Sequence, residues 1–180
     1  MARLVFGMMQ SLDGYVAGPP DGPQLPPPGE RLGRYFTDYV RASAGMIYGR
    51  RLYEMMRYWE VALPDWDALD HEFAALWCAK PKWVVSRTLK AVGPNATLVS
   101  GDVGTLVQTL KAQVEGEIDV AGPELAGSLT ALGLIDEYRL YFRPFVLGGG
   151  KPFFSGPRPP LHLVSAEIVG EDAVKVTYTA

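Results

Sequence analysis

The chain has 180 residues, 48% of them hydrophobic and 21% charged, with a formal net charge of −3 and one cysteine. That is enough chain for a single domain (1–180) with a substantial core, in ordinary globular proportions. The acidic balance and scattered basic residues exclude a nucleic-acid-binding face, Cys78 alone cannot close an internal disulfide, and no apolar run is long enough to cross a bilayer.

In chain order, Leu4–Gln10 reads as a buried strand and Ser11–Gly18 as the turn that follows it. Pro19–Gly29 is too rich in proline for helix or central strand, so it is a loop, either functional or a surface insertion. Glu30–Arg41 carries Leu32, Tyr35, Phe36, Tyr39 and Val40 at helical spacing, with Tyr35 and Phe36 turned to the core. Gly45–Gly49 is a short strand, Arg51–Tyr58 a helix, and Asp65–Ala79 an amphipathic helix ended by Pro81. Trp83–Ser86 and Ala96–Val99 are strands, and Val103–Val114 is a helix. Ile118–Ala121 is a buried strand that turns at Gly122 into a helix opening at Pro123, where a missing N–H costs nothing. Asp136–Phe142 alternates as a strand, with Pro144–Leu147 a candidate continuation past a kink. Leu161–Val169 and Ala173–Thr179 close the chain as an antiparallel pair. Strands alternating with helices imply an α/β fold with a mostly parallel central sheet flanked by helices, and antiparallel strands at its C-terminal edge.

Three strand ends carry anion chemistry. Gly49-Arg50-Arg51-Leu52 sets two guanidiniums at a strand–helix turn. Ser86-Arg87-Thr88 offers hydroxyls and a guanidinium after the next strand. Gly122-Pro123-Glu124-Leu125 opens a helix whose free N–H groups and dipole favour a phosphate. Separate contact points suit the extended backbone of a dinucleotide, although the Gly-x-Gly-x-x-Gly fingerprint is absent. His71 and His162 stand apart without metal-ligand spacing, so no metal site is expected. Gly148–Lys151 runs into Pro152 rather than a helix and reads as a mobile hairpin loop, not a P-loop.

Taken in order, Ser11–Ala17, Gly49–Glu54, Ser86–Leu89, Ala121–Leu125, Gly133–Glu137 and Pro144–Gly150 resemble the dihydrofolate reductase superfamily. The nearest branch is the reductase domain of the bifunctional riboflavin-biosynthesis deaminase–reductase. The resemblance implies a dihydrofolate reductase-like three-layer fold and NADPH as cofactor. Val16 and Ala17 would lie against the nicotinamide. Gly49, Arg50, Arg51 and Leu52 would hold one side of the pyrophosphate, and Gly122, Pro123, Glu124 and Leu125 the other. Ser86, Arg87 and Thr88 would receive the adenosine 2′-phosphate, whose charge rewards the Arg87 guanidinium. Leu52 and Pro123 depart from the family pattern and remove a hydroxyl and an N–H. The resemblance also suggests a homodimer through the C-terminal strands.

The substrate side is less explicit. The carboxylate that folate reductases carry on the helix after the first loop falls near Gly33, which disfavours folate reduction. Asp13 is the next carboxylate in reach, as a catalytic proton relay if burial raises its pKa, or as a cap on the turn at Gly14. Tyr15, Tyr53 and Trp59 could stack on a flat substrate ring. The expected function is a cytoplasmic NADPH-dependent reductase of a small, flat substrate. A non-catalytic nucleotide-binding module and a dimeric scaffold are the alternatives.

Overall fold

A computed structural model describes all of residues 1–180. Ten strands form: β1 Arg3–Gln10, β2 Tyr15–Ala17, β3 Gly45–Gly49, β4 Lys82–Val85, β5 Ala96–Val99, β6 Glu117–Ala121, β7 Glu137–Phe142, β8 Lys151–Pro152, β9 His162–Val169 and β10 Ala173–Thr179. The helices are α1 Glu30–Ala42, α2 Arg50–Met56, α3 Ala68–Ala79, α4 Val103–Gln113 and α5 Pro123–Ala131, with a 3₁₀ turn at Arg57–Glu60. Eight strands make one sheet in the order β5-β4-β3-β6-β1-β7-β10-β9, and β2 pairs with β8 apart from it. All neighbours from β5 to β7 run parallel, while β10 is antiparallel to both β7 and β9. This is the mostly parallel, three-layer α/β architecture that the alternation of strands and helices implies.

Alternation along the strands sorts side chains to two faces. Leu4, Phe6, Ile47, Ile118, Val120 and Leu140 pack beneath α4 and α5, against Val107, Leu110, Leu125 and Leu129. The opposite face meets α1, α2 and α3, where Met46, Tyr48 and Val84 pack with Val40, Tyr53 and Trp77. Each such large side chain, fully buried, contributes about 1.5–3 kcal/mol.

Boundaries shift where capping chemistry decides them. The third helix starts at Ala68 because the Asp67 side chain accepts from the N–H groups of Leu69 and Asp70, with Asp70 returning the bond in a capping box. The helix after β3 closes at Met56 and tightens into the 3₁₀ turn. Pro144–Leu147 does not extend β7. Pro144 has no N–H for the ladder, and Phe145 N–H bonds back to Arg143 O at 2.7 Å.

The first helix begins without a cap of its own. Gly29 sits at its N-cap position with no side-chain bond, and Glu171, in the β9–β10 turn, accepts from the N–H groups of Arg31 and Leu32 instead. The Pro19–Gly29 loop is likewise held from a distance: Arg143 donates to Pro26 O at 3.0 Å while pairing with Asp172 at 3.0 Å.

Candidate active site

The three anion-directed turns come together because their strands are neighbours. The strands β4, β3 and β6 lie side by side and parallel, so Ser86, Gly49 and Gly122 all follow carboxyl ends on one rim of the sheet. Ligands of open α/β sheets sit outside that rim. The Gly49 and Gly122 turns touch. A side chain on Gly49 would lie 3.7 Å from Leu125 Cβ, and one on Gly122 would lie 3.9 Å from Leu52 Cβ. Gly122 holds φ at 115°, a conformation that L side chains rarely adopt. Its carbonyl takes the Ala126 N–H at 3.0 Å, which leaves the Glu124 and Leu125 N–H groups in the orphaned first turn of α5. Pro123 and Leu125 bury their side chains and offer only backbone to a ligand.

The charges around this rim are partly matched. Arg50 reaches Glu54 at 3.7 Å, and Glu124 lies between Arg51 at 3.3 Å and Lys151 at 3.0 Å. The Lys151 ammonium holds the Glu124 carboxyl below its usual range. Ser86 is buried and its Oγ accepts from the N–H groups of Thr88 and Leu89, so it shapes the turn. The turn presents Arg87 and Thr88 to solvent. Val16 and Ala17 lie half-buried in β2 against β8. The Gly148–Lys151 segment, expected to be a mobile hairpin, packs there: a side chain on Gly150 would fall 2.1 Å from Ala17 O. At the same end of β1, the buried Nε2 of Gln10 has no hydrogen-bond partner.

The residues expected on the substrate side scatter. Asp13 is exposed and accepts from the N–H groups of Leu147 at 3.1 Å and Gly148 at 2.7 Å. The hydrogen bond from Ser11, with these two, lowers its pKa, the opposite of the rise a proton relay needs. Tyr53 is 1% exposed, and its hydroxyl accepts from Gly93 N–H at 2.7 Å, so it serves the core and not a ligand. Tyr15 lies in β2 opposite Pro152. Of the three aromatics, only Trp59 lines the large cleft.

That cleft, about 950 Å³, opens between α1, α3 and the 3₁₀ turn on the α1 side of the sheet. Phe36, Tyr58, Trp59 and Phe73 wall it, and Gly7, Met9, Met46, Tyr48, Asp119 and Tyr141 floor it. Tyr39 Oη donates to Asp119 Oδ1 at 2.8 Å. Burial pushes the Asp119 carboxyl up to about 7, against the Tyr39 hydrogen bond and the Arg139 charge, both of which lower it. Burial likewise raises the Tyr39 and Tyr48 phenols, which stay neutral donors. Sequence reasoning passed over Asp119, although the signal was present. A carboxylate between Ile118 and Val120, in a strand covered on both faces, needs a partner or a task.

Comparison with known proteins gives this geometry a setting. The RibD C-terminal domain model matches residues 2–175. The chain belongs to the RibD C-terminal domain family. Within reach of this RibD C-terminal domain protein is the uncharacterized protein YyaP of Bacillus subtilis (strain 168), 28% identical over 182 residues that cover 98% of this chain and 94% of YyaP. Among solved structures, a proposed riboflavin biosynthesis protein of Shewanella sp. PV-4 superposes with a TM-score of 0.71 at 24% identity, covering 99% of this chain and 98% of the other. Dihydrofolate reductase of Enterococcus faecalis, solved with NADP(H), superposes at 0.61 and 14% identity, covering 98% and 95%. The RibD C-terminal domain and dihydrofolate reductase thus share this protein's fold.

Proposed function

We propose that the protein is a cytoplasmic NADPH-dependent reductase that transfers a hydride to a C=N or C=O group of a small, flat substrate of pyrimidine, pterin or carbonyl type. Membership of the RibD C-terminal domain family and the dihydrofolate reductase fold support an oxidoreductase. The observation that carries the cofactor is the alignment of three anion-directed turns on adjacent strand ends. The residues fit the group. The α5 first turn and the Arg50 and Arg51 side chains would hold the pyrophosphate, and Arg87, which has no ion-pair partner in the chain, would face the 2′-phosphate. When bound, NADPH supplies the hydride; the protein positions it and excludes water. The free thiol of Cys78 accords with a reducing compartment.

Thermal-shift titration with NADPH, NADP⁺ and NADH tests this reading. A ligand that binds only the native state must raise the melting temperature as it is added. NADPH should give the largest shift, and no shift with any of the three would sink the reductase. A shift with no oxidation of NADPH by pyrimidines, pterins or carbonyl compounds would leave a nucleotide-binding module. We also assign the C-terminal strands to a homodimer interface, because Leu163, Val164, Ile168 and Val174 are exposed together on β9 and β10. Light scattering should return twice the chain mass.

A further inference from the structure

Asp13 and the Gly148–Lys151 run take no part in the three anion-directed turns, yet the fold joins them to that rim. The Asp13 carboxylate accepts from the N–H groups of Leu147 and Gly148 and so pins the start of the run. Gly150, at φ 121°, packs so closely on β2 that a side chain would fall 2.1 Å from Ala17 O. Lys151 then pairs with Ala17 in the β2–β8 ladder, and Phe153 N–H donates to Gly14 O at 3.0 Å. Lys151 therefore stands on a backbone held on both sides, with its ammonium carried to the Gly122 turn.

There the ammonium meets Glu124 Oε1 at 3.0 Å, and the Arg51 guanidinium, from the start of α2, meets the same oxygen at 3.3 Å. Two cations from separate elements thus converge on one anionic oxygen in the first turn of α5. These two cations are all that holds the carboxylate, whose side chain is 63% exposed. Ion pairs this exposed add little to stability, so Glu124 can leave them at small cost to the fold. Two cations against one carboxylate also leave a positive charge over, at the positive end of a helix. A diphosphate diester carries two negative charges and would match both cations. We propose that Glu124 is an internal stand-in for that anion: it holds Lys151 and Arg51 at the rim until a diphosphate displaces its carboxylate and takes both cations, with Lys151 as a direct phosphate ligand. Glu124 then opposes every diphosphate ligand alike, whereas Arg87 acts on the 2′-phosphate alone. The assignment rests on reading the rim as the cofactor site, and inorganic pyrophosphate separates the two in the test.

Isothermal titration of the wild type, Lys151→Met, Glu124→Gln and the double variant with NADPH, NADH and inorganic pyrophosphate tests it. K151M should weaken NADPH and NADH by the same factor, roughly tenfold, since both carry the diphosphate. E124Q should tighten both by about threefold. That gain should shrink in the K151M background, where one of the two contested cations is gone. Nucleotide binding that K151M leaves unchanged, that E124Q fails to tighten, or that responds additively to the two changes overturns the proposal while the cofactor reading stands. If neither nucleotide binds, the cofactor reading falls and pyrophosphate decides alone. Weaker pyrophosphate binding in K151M with tighter binding in E124Q upholds the exchange, and the lack of either response overturns it.

Discussion

Tyr39 on α1 donates a 2.8 Å hydrogen bond to Asp119 on β6, tying the helix that walls the cleft to the strand that floors it. The bond stabilises the carboxylate, but burial outweighs it. The net result is a carboxyl pushed up to about 7.

This gives stability a dependence on pH with a defined sign. The folded carboxyl titrates at about 7 against an ordinary value of 3.8. Between those values the folded state keeps a proton that the unfolded chain has released, so stability falls as pH rises through the window and levels off above it. The loss attributable to Asp119 is at most about 4 kcal/mol. Urea unfolding of the wild type and of D119N across this range should show the variant gaining relative stability as pH rises. A constant difference would mean that Asp119 titrates normally in the fold.

Arg87 is exposed and has no ion-pair partner in the chain, so its removal should cost the fold little. Arg87→Ala should weaken NADPH by roughly tenfold or more, through loss of a charge-assisted contact worth about 1.5–3 kcal/mol. NADH, which has no 2′-phosphate, should bind the variant and the wild type alike. Equal weakening of both would place Arg87 elsewhere than at the 2′-phosphate.

Glu171 caps a helix from 139 residues away, by accepting from Leu32 N–H at 3.0 Å as well as from Arg31. Burial works to raise its pKa, but these hydrogen bonds prevail and lower it, so its contribution is present above the ordinary carboxylate range and lost in acid. Glu171→Ala should destabilise the protein at neutral pH, as loss of a helix cap does. Hydrogen exchange should quicken first in the opening turn of α1. Unchanged exchange there would show that the cap does not hold that turn.

The buried Gln10 Nε2 forgoes a hydrogen bond. Gln10→Leu should raise the unfolding free energy by about 1 kcal/mol, because it removes an unsatisfied donor from the interior. Urea unfolding of the variant and the wild type checks this, and no gain in the variant would mean that the amide is satisfied in the folded state.

Much of this architecture was legible in the chain because its signals are local. Gly49, Ser86 and Gly122 each stand at the end of a short apolar strand, and the alternation of those strands with helices places them in a parallel sheet. The misreadings share a different cause. Asp13 stayed open between a proton relay and a turn cap because the donors that occupy it, the N–H groups of Leu147 and Gly148, lie far along the sequence. Tyr53 looked available to a ligand because nothing near it announced that the Gly93 N–H would donate to its hydroxyl. Asp119 was hidden in the other direction: its strand read as uniformly buried, and the cleft above it exists only once α1 and α3 have packed against each other.

The borrowed cap on α1 also bears on the order in which the protein is made. Domains emerge from the ribosome N-terminus first. Residues 30–42 leave early, but the carboxylate that completes their first turn is synthesised well over a hundred residues later. The same late hairpin carries Asp172, which anchors Arg143 and through it the proline-rich loop. A nascent chain that has already built β1, β3, β4 and β6 owns the rim of parallel strand ends but not a finished cleft wall. The strand-end rim is therefore synthesised before the cleft wall can be completed, with the final hairpin as the step that separates them.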